Sequence, residues 1–222
     1  MIPLDGAVFE ERFAALLREV EHRFAQAPAC HGFDHTLRVL RNAERLAAAM
    51  PGADSRVVRL AALLHDIARA DEIAGRGEGP CHAVRGAAMV PEILRAAGWE
   101  ESWCAPVAAA VRTHRFRDGE RPETAEAEIV YDADKLDSLG AVGIGRAFLF
   151  AGREGGRLHN DAATALSSPA YSREDTAYRE YLVKLRKLPD AMLTAPGRAE
   201  AQHRAAIMKD FFDQLIAETG IG

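Results

Sequence analysis

The stretch LAALLHDIA (60–68) sets an adjacent imidazole and carboxylate, His65 and Asp66, at the end of an otherwise apolar run. Such a run is too apolar for a solvated surface, so both polar groups are expected to face a buried or half-buried cavity. Burying two titratable groups requires partners, and a metal ion is one of them. The plain structural alternative is a helix-end pair in which the carboxylate orients a core histidine. Two further segments, HGFDHTLRV (31–39) and VYDADKLDSLG (130–140), favour the metal. They add His35 and Asp134, and imidazoles and carboxylates are the side chains that take divalent ions.

Outward from that stretch, apolar residues recur at helical spacing nearly everywhere. Phe9, Phe13, Leu16, Leu17 and Val20 form one series, and Leu37, Val39, Leu40, Ala43, Leu46 and Ala47 another. Convincing strands are absent, and the fold class read from the pattern is all-α. Helices are predicted over roughly 6–26, 33–50, 55–71, 82–98, 101–116, 124–140, 141–153, 172–188 and 196–218. At 222 residues the chain reads as one domain, 1–222. Pro51-Gly52 ends one helix and Asp54 or Ser55 can cap the next. Gly75, Gly77, Gly79 and Pro80 mark a loop beside the site, with spacing unlike a dinucleotide fingerprint. Residues 155–171 read as a second loop, a candidate lid.

The excess of five acidic over basic residues, with no basic tract, argues against sequence-specific nucleic acid and fits a small charged substrate. Cys30, Cys81 and Cys104 show no paired spacing, so they read as ordinary thiols. The first residues acquire charge too early for a signal peptide, and no apolar run approaches the roughly 20 residues of a membrane helix. A reducing cytoplasm and no membrane partner are expected. The apolar C-terminal helix could supply a surface for homo-oligomerisation.

Three carboxylates crowd the segment Asp132-Ala133-Asp134-Lys135-Leu136-Asp137. Asp134 and Asp137 are one helical turn apart, and Asp132 falls on another face. Ile129, Val130, Leu136 and Leu139 indicate a largely buried helix. A solvated acidic face is expected to account for Asp132 and Asp137 better than for Asp134.

With these residues in view, the chain resembles the HD-domain superfamily of metal-dependent phosphohydrolases, whose pattern is H…HD…D on a helical bundle. The likeness covers roughly residues 30–150, leaving a C-terminal helical extension of about 155–222. Carried over by position, it implies that His35 of HTLRV, the pair His65-Asp66, and Asp134 of ADKLD are the metal ligands. Small bacterial HD hydrolases carrying H-x-x-RV, LLHD and DADxLDxxGxxGxxR are the nearest likeness, and here the last motif reads DADKLDSLGAVGIGR (132–146). Some relatives of that kind look like nucleotide pyrophosphohydrolases.

Some superfamily members hold two metals through H…HD…H…H…D, and that order recurs as His35, His65-Asp66, His82, His114, Asp134. In the alternative, His82 caps its helix and His114 contacts a substrate phosphate or water. His31, four residues before His35, could add a ligand or support one. His22, His159 and His203 read as surface histidines. One departure stands out: related nucleotide hydrolases often carry acids three or four positions after the HD aspartate, where this chain has Arg69 and Ala70, with Asp71 and Glu72 following.

The resemblance therefore implies a divalent-metal-dependent phosphohydrolase acting on a small phosphorylated substrate, a nucleotide, with phosphate or pyrophosphate release. Mn²⁺ or Mg²⁺ suits the oxygen-rich ligand set, and imidazole also admits Fe, Ni, Co or Zn. Asp66 is the residue expected to ligate the ion and orient water, and Asp71 is a candidate for proton transfer. Arg38, one turn after His35, with Lys135 and Arg146, are candidate phosphate contacts. A metal- or nucleotide-binding regulatory module with weak turnover is the alternative.

Overall fold

The computed structural model describes residues 5–24, 32–74, 79–115 and 120–220. Among them the chain is helical and contains no strand, as the apolar spacing requires. By its contacts it divides into two compact units, Met1–Asp134 and Lys135–Gly222.

In the first unit, α1 (Gly6–Phe24), α2 (Phe33–Ala48), α3 (Ser55–Leu64), α5 (His82–Ala96) and α6 (Cys104–Thr113) build the core. Helix α2 packs on α3, α5 on α6, and α3 on α6, so α3 lies between α2 and α6. That position explains its composition: Leu60 to Leu64 are all fully buried. Asp54 caps α3 by accepting from the Arg56 amide at 2.9 Å. Glu126, near the start of α7 (Ala125–Leu136), accepts from the Asp54 amide at 2.8 Å and ties the two helix starts together. Helix α1 closes the core through Phe9, whose ring meets Trp99 edge-on at 5.3 Å. Arg59 of α3 lies 4.2 Å over the Phe13 ring and pairs with Glu10 at 2.6 Å.

The helix predicted over 55–71 ends at Leu64. Residues 65–68 form a turn, with Ile67 donating to Leu64 O at 3.1 Å and Arg69 to Asp66 O at 2.8 Å, and a short α4 (Arg69–Ala74) follows. The i→i+3 bonds end the α-helical ladder of α3 at the His-Asp pair. Helix α5 comes close to this turn at Gly86, where a Cβ would sit in van der Waals contact, 3.4 Å from both Ile67 and Val111.

The second unit holds α8 (Gly140–Arg153), α9 (Ala162–Ser167), α10 (Ala177–Val183) and α11 (Ala195–Thr219), with a 3-10 segment, Leu185–Ala191, between the last two. Tyr181 stacks on Phe212 at 4.5 Å, and Phe148 meets Phe211 at 5.8 Å. Gly143 is required by backbone proximity, since a Cβ there would lie 2.2 Å from the Ser138 carbonyl oxygen. The candidate lid, 155–171, contains α9, capped by Asp161, which accepts from the Thr164 amide at 2.8 Å. Within the predicted 172–188 helix only Ala177–Val183 is α-helical; Pro189 has no amide proton to continue an α-helical ladder and lies in the 3-10 segment. No helix among the described residues is long and apolar enough to cross a membrane.

Candidate metal centre

Five elements deliver side chains to one buried cluster. His35 comes from the first turn of α2, His65 and Asp66 from the turn after α3, His82 from the first residue of α5, His114 from the residue after α6, and Asp134 from α7. His35, His65, Asp66, His82 and His114 are all buried. Helix ends suit this task, because they place short polar side chains without interrupting an apolar helix face.

Asp66 organises the cluster. Its Oδ2 lies 3.7 Å from both His35 Nε2 and His65 Nε2. Asp134 Oδ1 approaches the same pair, at 3.4 Å from His35 and 4.0 Å from His65. The other Asp66 oxygen, Oδ1, faces a second pair: His82 Nε2 at 2.9 Å and His114 Nε2 at 3.6 Å. The imidazoles themselves are 3.3 Å apart in the first pair, Nε2 to Nε2, and 3.2 Å in the second. Donors sharing one ion at about 2.1 Å stand roughly 3.0–3.4 Å from one another. The two imidazole pairs, His35 with Asp134 and His82 with Asp66 have about that spacing, and the remaining separations are wider, up to 4.0 Å.

Hydrogen bonds on the far side of each ring decide which nitrogen faces inward. His65 Nδ1 lies 2.8 Å from Ala62 O, and His114 Nδ1 lies 2.6 Å from Val111 O. A carbonyl only accepts, so each Nδ1 carries the proton and each Nε2 presents a lone pair to the cluster. Lone pairs aimed at one another at such distances repel, and a cation between them removes the conflict. Two groups can therefore hold a divalent ion, His35 with His65 and Asp66, and Asp66 with His82 and His114. Asp134 adds an oxygen to the first.

The electrostatics agree. Burial pushes the His65 imidazole down to about 4, with His114 and His35 adding to the drop and Asp66 only partly opposing it. Burial pushes the Asp66 carboxyl up, but His65, His114, His82 and His35 outweigh it and hold the group well below the usual carboxylate range. The lowered His65 value favours its neutral form, the form that ligates a metal.

His31, Gly75 and Gly77 lie outside the described residues. Asp71 is exposed on α4, whereas its neighbour Glu72 turns inward and bonds His82 Nδ1 at 2.8 Å. Sequence reasoning passed over Glu72, and its only signal was an acid near the His-Asp pair. Arg38 donates to Asp34 at 2.6 Å. Lys135 is half-buried directly after Asp134, and Arg146 on α8 donates to the Asp137 carboxylate. That pair corrects the expectation of a solvated acidic face: Asp132 and Asp137 are 0% and 1% exposed. Asp137 is buried because the Arg146 guanidinium offsets its charge.

Residues 32–139 match the family model of the HD domain. The chain carries an HD domain. The curated relative YpgQ of Bacillus subtilis (strain 168), an uncharacterized protein, is 39% identical over 104 residues. That alignment spans 45% of this chain and 45% of YpgQ, less than half the relative's length. Among solved structures, B. subtilis YpgQ in complex with ADP is 26% identical, with 95% of this chain and 96% of that one covered and a TM-score of 0.73. An HD-superfamily hydrolase from Bacillus thuringiensis is 27% identical, with 96% and 100% covered and a TM-score of 0.73. A predicted HD-superfamily hydrolase from an uncultured Thermotogales bacterium is 26% identical, with 97% and 99% covered and a TM-score of 0.67. His35, His65, Asp66, His82, His114 and Asp134 all lie inside the segment matched by the HD-domain model.

Proposed function

We propose that this HD-domain protein is a divalent-metal-dependent phosphohydrolase acting on a nucleotide. The observation that carries the reading is Asp66, whose two oxygens each face a separate pair of inward-turned histidines. His35, His65, Asp66 and Asp134 would hold one ion, and Asp66, His82 and His114 a second. Such ions lower the pKa of water, polarise phosphorus–oxygen bonds and offset charge that develops on phosphate. Mn²⁺ or Mg²⁺ suits the carboxylates, while the histidines also admit Fe, Ni, Co or Zn.

The chain's own residues do the rest. The carbonyls of Ala62 and Val111 fix the His65 and His114 tautomers, so the ligand atoms are set before substrate arrives. The apolar wall of α3 limits water behind the cluster. Arg38, one turn from His35, can exchange Asp34 for a substrate phosphate. The ADP bound by YpgQ supports a nucleotide as the substrate class.

The test is a panel of nucleoside mono-, di- and triphosphates with Mn²⁺, Mg²⁺ and Co²⁺, following phosphate and pyrophosphate release. Turnover that disappears with EDTA and in His65→Ala is expected. Release that persists in His65→Ala and Asp66→Asn, or no release with any metal, sinks the proposal. Position 69 carries Arg69, ion-paired to Glu72, where related hydrolases often carry an acid. That favours a second reading, a regulatory module, which tight nucleotide binding without turnover would support.

A further inference from the structure

Glu72 lies on α4, and the cluster described above does not include it, yet its carboxylate has partners on every side. Oε2 lies 2.8 Å from His82 Nδ1. Oε1 accepts from Arg115 Nη1 at 3.0 Å and, at 3.3 Å, from the backbone amide of His82. Arg69 Nη1 also donates to Oε2. Two guanidinium groups and a backbone amide thus converge on this carboxylate, the setting of an ionised group. Arg69 Nη1 and Arg115 Nη1 lie 3.0 and 3.1 Å from the same Nδ1, but their shorter bonds go to the Glu72 oxygens. The carboxylate, nearest to Nδ1 at 2.8 Å, only accepts, so the Nδ1 proton points to it.

His65 and His114 have their Nδ1 atoms held by backbone carbonyls of their own helices, three residues back. His82, the first residue of α5, has no preceding helical turn to supply such a carbonyl. Glu72 takes that place from another helix. The opposite nitrogen, Nε2, faces Asp66 Oδ1 at 2.9 Å and His114 Nε2 at 3.2 Å.

We infer that Glu72 is the positioning residue of the His82–His114–Asp66 group: by holding the Nδ1 proton of His82 it aims Nε2 at a second divalent ion. The inference rests on the metal reading above and extends it to a residue that touches neither ion nor substrate. Arg69 and Arg115 grip the same carboxylate, so its direction is set from two sides. Glu72 also accepts from the first amide of α5, a purely structural service. The two roles separate in measurement, since loss of a helix cap lowers stability without choosing between ions, whereas loss of aim weakens one ion alone.

The experiment is calorimetric titration with Mn²⁺, together with metal content after dialysis, on the full chain and on Glu72→Gln and Glu72→Ala. Wild type is expected to bind two ions. In Glu72→Ala the second should weaken about 10–100-fold, the range for loss of a carboxylate behind a ligating histidine. Glu72→Gln, which keeps an oxygen acceptor and the shape, should fall between and carries the test if the alanine variant does not fold. The first ion should keep its affinity within about twofold. Equal affinity for the second ion in wild type and both variants overturns the inference. A single ion in wild type also overturns it while leaving a one-metal hydrolase standing, and no ion at all removes the metal reading itself. Imidazole nitrogen NMR on the metal-free chain reads the aim directly: the proton preference of His82 for Nδ1 should be lost in Glu72→Ala, and an unchanged tautomer overturns the inference.

Discussion

Asp66 shows how much chemistry one side chain can carry when both of its oxygens are placed. The first oxygen serves His35 and His65 and the second serves His82 and His114, so no other substitution removes a ligand from both groups at once. Asp66→Asn keeps the shape and removes the charge. Metal content should drop by both ions, and nucleotide hydrolysis should fall at least about a hundredfold, since both ligation and charge compensation are lost. Retention of either ion at wild-type affinity would contradict this assignment. His65 gives a second prediction, in the metal-free protein. Its folded pKa is about 4 against 6.5 for an unperturbed imidazole. Between those values the unfolded chain binds the proton and the folded chain does not, so stability rises with pH and is lost on acidification from about 6.5 towards 4. The full effect is roughly 3 kcal/mol. Urea midpoints measured across that window should decline as pH falls, and His65→Gln should flatten the decline.

At the scale of elements, the apolar periodicity of α1, α2 and α11 was legible because each helix presents one continuous stripe to a core. The His-Asp turn was not. Leu60 to Ala68 reads as unbroken helix, since a turn buried on all sides needs the same apolar residues as a buried helix. Asp137 misled for a related reason: sequence shows its carboxylate but not the Arg146 guanidinium on α8 that makes its burial tolerable. Glu72 escaped because its meaning depends on α5 folding back beside α4. That packing yields its own prediction at Gly86, where a Cβ fits at van der Waals distance from Ile67 and Val111 but a longer side chain does not. Gly86→Ala should stay within about 1 kcal/mol of wild type, because the gain in helix propensity offsets tight contact. Gly86→Leu should cost about 1–3 kcal/mol by overpacking, and by moving α5 it should weaken the ion at His82 and His114. Denaturant unfolding alongside metal titration separates these effects, and equal behaviour of the two variants would mean that α5 does not depend on this close approach.

For the molecule as a whole, the buried cluster is a weak point until it is filled. Inward lone pairs and paired carboxylates repel one another, and the fold holds them together by the packing of α2, α3, α5 and α6 and by the hydrogen bond from Asn42 of α2 to Ala133 O of α7. Any ion that binds only the folded arrangement stabilises it by an amount set by concentration and affinity, about 2.7 kcal/mol at a hundred times Kd. For a chain of 222 residues that corresponds to a rise in melting temperature of roughly 5–10 °C. Scans in a Mn²⁺ series against EDTA should show the midpoint climbing with the logarithm of metal concentration in wild type. Asp66→Asn should lose that dependence while keeping a cooperative transition, because it is isosteric and the surrounding apolar core is untouched. Glu72→Gln should keep a shallower slope, as expected if only the second ion is weakened. A wild-type midpoint that ignores metal would mean the cluster satisfies itself through protons and hydrogen bonds, and the histidines would then be core residues oriented by carboxylates.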